Sequence, residues 1–134
     1  MKNRLKLLVA ALGVGAIVFA GCSSGAAAVE TVAPTAAAEI IVQETDEIVL
    51  DIRTPEEFSQ GAIEGAINID FYASDFADQL DALDKDAHYV VYCRSGNRSS
   101  QARSTFAKLG FTNVTEIDGG IANWYNSGLP IALP

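Results

Sequence analysis

The sequence predicts an α/β fold, a small parallel β-sheet with helices on both faces. Short apolar runs of strand length alternate with segments whose apolar residues recur at helical intervals. One run, Tyr89–Tyr92, is apolar or aromatic throughout, as is typical of a strand buried on both faces of a parallel sheet. Strands that alternate with helices in so short a chain indicate one compact sheet enclosed between two helical layers.

Length and charge limit the classes of protein to which this chain can belong. The chain has 134 residues, enough for one modest domain once an export segment is removed. The formal net charge is −8, and loss of Lys2, Arg4 and Lys6 with a leader would leave −11, which argues against nucleic acid as a partner. Of the basic residues beyond the leader, Arg94, Arg98 and Arg103 follow closely after Cys93. The basic part of the domain thus surrounds its one cysteine.

Residues 1–21 are predicted to be a signal peptide. Basic residues precede an apolar run from Leu7 to Ala20, which is short for a membrane span. The run ends in small residues before Cys22, and this arrangement resembles the lipobox of bacterial lipoproteins, although Phe19 stands where an aliphatic residue is usual. The resemblance implies that Cys22 is the lipid (palmitate) attachment site and that the protein is anchored on the extracytoplasmic side of a bacterial membrane, in the cell envelope. The alternative is an ordinary cleaved signal peptide.

Residues 22–38 are predicted to be a lipidated cysteine followed by a tether, because alanine, serine and one proline offer little to a core. The folded domain is then expected over residues 39–134. If Cys22 carries lipid, Cys93 has no cysteine partner within the chain, which excludes a structural disulfide by counting. A lone thiol in an exported domain calls for a chemical explanation.

Within this domain the elements follow in order. A strand over 47–51 leads to a short helix, with Thr54 as N-cap and Pro55 at the first helical position. Apolar spacing, glycine breakers and a glycine cap predict the remaining elements. These are a strand at 66–69, a helix at 74–83, a strand at 89–92, a helix at 99–109, a strand at 114–117 and a helix at 120–126.

Cys93 directly follows the most apolar strand, and in parallel sheets functional sites form at the carboxyl ends of strands. The loop that leads from it into the next helix can turn its N–H groups inward at the positive end of that helix, with Gly96 allowing the turn. Arg94 and Arg98 add positive charge. The thiolate is the anion already present there, so we expect a lowered pKa and a nucleophilic Cys93. The alternative is a buried structural cysteine.

The segment 51–69 contains Asp-Ile-Arg and Gly-Ala-Ile-Asn-Ile, and the segment 93–99 reads Cys-Arg-Ser-Gly-Asn-Arg-Ser. The segment 118–130 contains Asp-Gly-Gly, Trp and Gly-Leu-Pro. In this order the three segments span the domain and resemble the rhodanese family. The resemblance implies a three-layer α/β/α fold and a sulfurtransferase without a cofactor. Cys93 would be catalytic, carrying sulfane sulfur from thiosulfate or a polysulfide as a persulfide. The residues implied to bind the anionic donor are Arg94, Ser95, Gly96, Asn97 and Arg98.

Loop length and one substitution refine this prediction. The family's phosphatase relatives place five residues between cysteine and arginine to enclose a tetrahedral oxyanion, whereas residues 94–97 separate Cys93 from Arg98, which favours sulfur over phosphate. Ala62 stands where the family usually has histidine, and because the loop is intact we expect a structural or peripheral loss, with reduced activity as the alternative.

Supporting roles are predicted for Asp51, Arg53 and Ser99, with Asp51 and Arg53 in a buried ion network that extends to Glu57. Other residues are expected to serve the structure or the surface. His88 is expected to be exposed, and one histidine with one free thiol provides no metal-ligand set. The aromatic pairs 71–72 and 124–125 are expected to close the core, and aspartates 75, 78, 81, 84 and 86 to form a solvated face.

Three functional hypotheses remain open at this point. The first is an enzyme, a monomer that moves sulfur from a small anionic donor to a thiol or cyanide. The second is a persulfide carrier or docking module that serves a sulfur-trafficking protein of the envelope. The third, a thiol redox sensor, is disfavoured because no resolving cysteine accompanies Cys93.

Overall fold

A computed structural model describes residues 28–134, so the predicted signal peptide and Cys22 lie outside the described residues. The element bounds are β1 (Ala28–Val32), α1 (Pro34–Gln43), β2 (Ile48–Asp51), α2 (Pro55–Ser59), β3 (Ile67–Asn68), α3 (Phe76–Asp81), β4 (His88–Tyr92), α4 (Asn97–Leu109), β5 (Asn113–Ile117) and α5 (Gly120–Asn126). The strands form one parallel sheet in the order β1-β5-β4-β2-β3. The predicted three-layer α/β/α class is confirmed.

The two faces of the sheet bury separate cores because successive strand residues point to opposite sides. Tyr89 and Val91 of β4 pack with Leu80 of α3 and Phe106 of α4. The alternate β4 residues pack on the other face with α1 and α5, in a cluster that includes Ala37, Val49, Val90, Tyr92, Ile117, Ile121 and Trp124. A strand buried on both sides has no polar face, which explains the unbroken apolar run in β4.

The predicted tether is wrong for residues 28–38, which belong to the folded domain. β1 pairs in parallel with β5 over its whole length, from Ala28 opposite Asn113 to Val32 opposite Ile117. α1 begins at Pro34, and the first helical position tolerates proline because its N–H would have no partner there. Ala37 is fully buried. Small side chains let this helix lie close against the sheet and α5, so the alanines that suggested a linker form a packing face.

The remaining elements agree with the predictions to within a few residues. The capping box is present: Thr54 Oγ1 accepts from the Glu57 N–H at 3.3 Å, and the Thr54 N–H donates to Glu57 Oε2 at 3.1 Å. The aspartates at 75, 78, 81, 84 and 86 are all exposed, as expected. None of the helices within residues 28–134 has the length and apolar character needed to cross a membrane.

Candidate active site

Cys93 follows β4 directly and is 1% exposed. The first turn of α5 holds its backbone in place. The Ile121 N–H donates to the Cys93 carbonyl at 2.9 Å, and the Ala122 N–H donates to the Arg94 carbonyl at 3.0 Å. The carboxyl end of β4 and the amino end of α5 are therefore joined at the point where the loop begins.

This junction requires glycine at position 120. Gly120 has a φ of +61°, and a Cβ on it would lie 2.4 Å from the Cys93 carbonyl oxygen and 2.7 Å from the Arg94 carbonyl carbon. Backbone atoms cannot yield at such distances, so the predicted Gly-Gly pattern of the C-terminal segment serves close approach between α5 and the loop.

The loop directs N–H groups at the sulfur. The Gly96 N–H donates to Cys93 Sγ at 3.1 Å, and Ser99 Oγ lies 3.6 Å from the same sulfur. Gly96, with a φ of +95°, turns the chain into α4. Burial acts to raise the pKa of the Cys93 thiol. The N–H groups of Ser99, Gly96 and Ser95 act in the opposite direction, and the pKa is lowered. The geometry thus favours a thiolate in a cradle of amides.

Arg98 supports the loop from α4. Its guanidinium donates two hydrogen bonds to Glu57 of α2, at 2.6 and 2.8 Å, and lies 5.5 Å from the centre of the Tyr72 ring. The hydrogen bonds from Arg98 lower the pKa of Glu57 from 4.5 to about 2, against the opposing effect of burial. Two of its five N–H donors thus serve Glu57 and hold the start of α4 against α2, and the prediction that Arg98 binds the anionic donor stays a prediction.

This ion pair gives a pH-dependent prediction. The pKa of Glu57 is lower in the folded state than its ordinary value, so the pair stabilises the fold above pH 4.5 and loses that contribution as the pH falls towards 2. Both groups are partly exposed, so Glu57→Gln is expected to lower the free energy of unfolding by about 1 kcal/mol at neutral pH. Urea unfolding should show the difference shrinking at acidic pH.

The matched control is Glu56→Gln, which changes an exposed neighbour on the same helix. We expect it to leave stability within about 0.5 kcal/mol of the unmodified protein. A Glu57→Gln variant as stable as this control at neutral pH would contradict the proposed support of α4 by α2.

Asp51 and Arg53 form the predicted buried ion pair, but Glu57 is not part of it. Asp51 is fully buried, and Arg53 donates to both of its carboxylate oxygens and to the Gly61 carbonyl at 2.7 Å. Asn68 donates to the carbonyls of Asp51 and Arg53 at 3.0 and 2.9 Å. This pair fixes the segment after β2 beside the site, while Glu57 turns to Arg98 instead.

Arg94 lines a cleft of about 450 Å³ next to the loop. The other residues of its wall are Arg53, Glu57, Gln60, Gly61, Ile121, Ala122, Tyr125 and Ile131. Arg94 is exposed, as is Ser95, whereas the Asn97 side chain accepts a hydrogen bond from Gln101. Arg94 is therefore the loop residue whose charge faces a space that an anion could enter, and the donor-binding roles of Ser95 and Asn97 stay predictions.

Sequence reasoning missed Glu116, a carboxylate in β5 that is 4% exposed and lies behind the site. Ser99 Oγ donates to Glu116 Oε1 at 2.7 Å, and Arg103 Nε donates to Glu116 Oε2 at 2.7 Å. The available signal was a charged residue within an otherwise buried strand, which in a folded protein requires a partner. The predicted supporting role of Ser99 thus includes a link to this carboxylate.

Two further predictions need correction. His88 is not exposed: its side chain is 13% accessible, with Nδ1 2.6 Å from Glu44 Oε2 and Nε2 2.8 Å from Thr115 Oγ1. Of the aromatic pairs, Trp124 is buried and Phe71 is half-buried, whereas Tyr72 and Tyr125 are each 67% exposed. Tyr72 lies beside Arg98, and Tyr125 lines the cleft. These two tyrosine rings form the surroundings of the site rather than the core.

Ala62 is buried and forms an antiparallel bridge with Ala132, where its N–H donates to the Ala132 carbonyl at 2.8 Å. The position therefore packs against the C-terminal segment, away from the sulfur's own hydrogen bonds. Between residues 28 and 134, no three histidine, cysteine or acidic side chains are grouped as metal ligands would be.

Comparisons with known proteins give a consistent result. A family model described as a rhodanese-like domain matches residues 33–127, which includes α1. A sulfurtransferase of Allochromatium vinosum is 38% identical over 89 residues, 66% of this chain and 81% of that protein. Thiosulfate sulfurtransferase GlpE of Pseudomonas aeruginosa is 38% identical over 95 residues, 71% of this chain and 83% of that protein. The crystal structure of a rhodanese-related protein from Thermoplasma volcanium matches with a TM-score of 0.69 and 32% identity, covering 78% of this chain and 99% of that one.

Proposed function

This chain belongs to the rhodanese-like domain family and is a sulfurtransferase-like enzyme. On that basis we propose that it moves sulfane sulfur from thiosulfate or a polysulfide to a thiophilic acceptor. The sulfur is carried as a persulfide on Cys93. The single observation that carries the proposal is the buried Cys93 sulfur, which receives the Gly96 N–H at 3.1 Å within a loop of inward amides.

In the first step the Cys93 thiolate attacks the outer sulfur of thiosulfate. A sulfur–sulfur bond forms to Cys93 while the bond to the sulfonate sulfur breaks, and sulfite leaves with the bonding electrons. Arg94, exposed at the rim of the cleft, supplies positive charge for the approaching dianion. The product is a negatively charged persulfide, which the same loop N–H groups are placed to stabilise.

In the second step an acceptor thiolate or cyanide attacks the terminal sulfur. The bond between that sulfur and Cys93 breaks, so Cys93 leaves as a thiolate and the acceptor departs as a persulfide or as thiocyanate. The amides that stabilise the thiolate before the reaction therefore also stabilise the leaving group at its end.

Intact mass spectrometry tests this proposal. The protein is incubated with thiosulfate and then with cyanide, and we expect the mass to rise by about one sulfur atom and to return on the chase, through repeated cycles. A mass gain that cyanide and small thiols do not remove would favour the carrier hypothesis, with release reserved for a protein partner of the envelope. No gain with thiosulfate or polysulfide would refute sulfur transfer through Cys93.

We also propose that the protein is a lipoprotein of the bacterial cell envelope, anchored through Cys22 on the extracytoplasmic side. The basic and apolar leader that ends in small residues before Cys22 supports this. β1 includes Ala28, so Cys22 lies six residues before the described fold, a reach of at most ~22 Å for a fully extended chain. The domain would then work close to the membrane surface.

Labelling with palmitate tests the anchor. The full-length chain expressed in a bacterial host should incorporate the label and sediment with membranes, and Cys22→Ala should abolish the incorporation. Cys93→Ser is the matched control, since it removes the other cysteine and should remain labelled. Label retained in Cys22→Ala would show that the attachment site is elsewhere.

A further inference from the structure

The hydroxyl of Ser99 has more acceptors around it than it can serve. Ser99 Oγ lies 2.7 Å from Glu116 Oε1, 3.2 Å from the Gly96 carbonyl and 3.6 Å from Cys93 Sγ. A hydroxyl carries one hydrogen, and it favours the shortest contact, here to a carboxylate. In this geometry Ser99 donates to Glu116, and its lone pairs are left to face the sulfur.

Glu116 is itself held in one orientation. Its other oxygen, Oε2, accepts from Arg103 Nε at 2.7 Å and from Arg103 Nη2. Arg103 Nη2 also donates to Thr31 Oγ1 of the edge strand β1 at 2.5 Å. Arg103 thus occupies one carboxylate oxygen and leaves Oε1 for Ser99, so the direction of the Ser99 hydroxyl is determined from β5 and α4 together.

We propose that Glu116 is a positioning residue for the reaction at Cys93, acting by drawing the Ser99 hydrogen away from the sulfur. This inference rests on the proposed function only in taking Cys93 as the nucleophile. The thiolate is then stabilised by backbone N–H groups while the hydroxyl is withheld. Each hydrogen bond to a thiolate lowers its basicity and, with it, its nucleophilicity, so a withheld donor keeps the sulfur more reactive per thiolate.

The Glu116→Gln variant reverses the direction of this hydrogen bond. Arg103 can only donate, so it should retain the amide oxygen at the Oε2 position and place the amide nitrogen beside Ser99. Ser99 Oγ would then accept from that amide nitrogen and turn its own hydrogen towards Cys93. The thiolate gains a donor, and its pKa is expected to fall.

Other charged groups around the sulfur are unchanged by this substitution. They are Arg98 of α4 with Glu57 of α2 bound to it, Arg94 on the loop, and Arg103 behind Glu116. Just after β5, Asp118 is exposed and provides a matched control, because it is a nearby carboxylate in the sequence that makes no hydrogen bond to Ser99 in the described part of the chain.

The experiment measures the rate of Cys93 alkylation by iodoacetamide as a function of pH, a readout that needs no sulfur transfer. Glu116→Gln should shift the midpoint to lower pH by about one unit, whereas Asp118→Asn should leave it in place. In a Ser99→Ala background, Glu116→Gln should lose most of its effect, because the hydroxyl that transmits it is gone. Circular dichroism and urea unfolding establish that each variant is folded.

Two results would overturn the inference. An unchanged midpoint in folded Glu116→Gln would show that Ser99 does not transmit the state of residue 116. An equal shift with and without Ser99 would show that the carboxylate acts on the sulfur through its charge alone. Neither result depends on persulfide loading, so failure of this inference and failure of the sulfurtransferase proposal are distinguishable.

Discussion

Replacement of Cys93 by serine is expected to abolish persulfide formation and to leave the fold intact. A serine oxygen cannot form the sulfur–sulfur bond, and its hydroxyl does not ionise in the range where a thiol does. The side chain occupies the same buried position after β4 and can accept the same hydrogen bond from the Gly96 N–H. The substitution is close to isosteric, so we expect the free energy of unfolding to change by less than about 1.5 kcal/mol.

The measurement is intact mass after thiosulfate, with urea unfolding of the same sample as the control for folding. The unmodified protein should gain one sulfur atom and the Cys93→Ser variant none. Any sulfur gained by the folded variant would place the transfer elsewhere, and the mechanism proposed for Cys93 would fail. Loss of both loading and folding would instead show that Cys93 serves the core more than its contacts indicate.

The fold could be predicted from local patterns because each one has a direct physical cause. β4 is apolar throughout since both of its faces are covered, and α2 begins after Thr54 since threonine suits the N-cap and proline the first helical position. The predicted domain boundary at residue 39 was wrong because the residues before it carry no such local pattern. Alanine gives no amphipathic signal, so only the partners of α1, which lie far along the chain in β5 and α5, reveal that it is packed.

In the candidate site too, the local features could be predicted from the sequence and the long-range contacts could not. Cys93, Gly96 and the loop amides are neighbours in sequence, so one segment was enough to predict the cradle. The residues that support it come from distant segments: Glu57 lies 41 positions from Arg98, and Glu116 lies 17 positions from Ser99. The sequence shows that these charged residues are present but does not determine which of them pair in the fold. It therefore assigned Glu57 to Arg53 and left Glu116 without a role.

Replacement of Gly120 by alanine is expected to have the second large effect, on both stability and sulfur loading. The φ of +61° costs an alanine about 1–2 kcal/mol. Its Cβ would also meet the Cys93 carbonyl oxygen at 2.4 Å, so α5 and the loop must separate and the hydrogen bonds from Ile121 and Ala122 must weaken. We expect a loss of more than about 3 kcal/mol in the free energy of unfolding.

Gly110→Ala separates the two causes. Gly110 ends α4 with a φ of +84°, and a Cβ on it would meet no atom within 4 Å, so this variant experiences the backbone strain without the collision. It should lose about 1–2 kcal/mol and load sulfur at an unchanged rate. In Gly120→Ala that remains folded, displacement of the loop amides should slow loading by about two orders of magnitude. Equal stability losses in the two variants, with loading retained in both, would show that close approach of α5 to the Cys93 carbonyl does not shape the cradle.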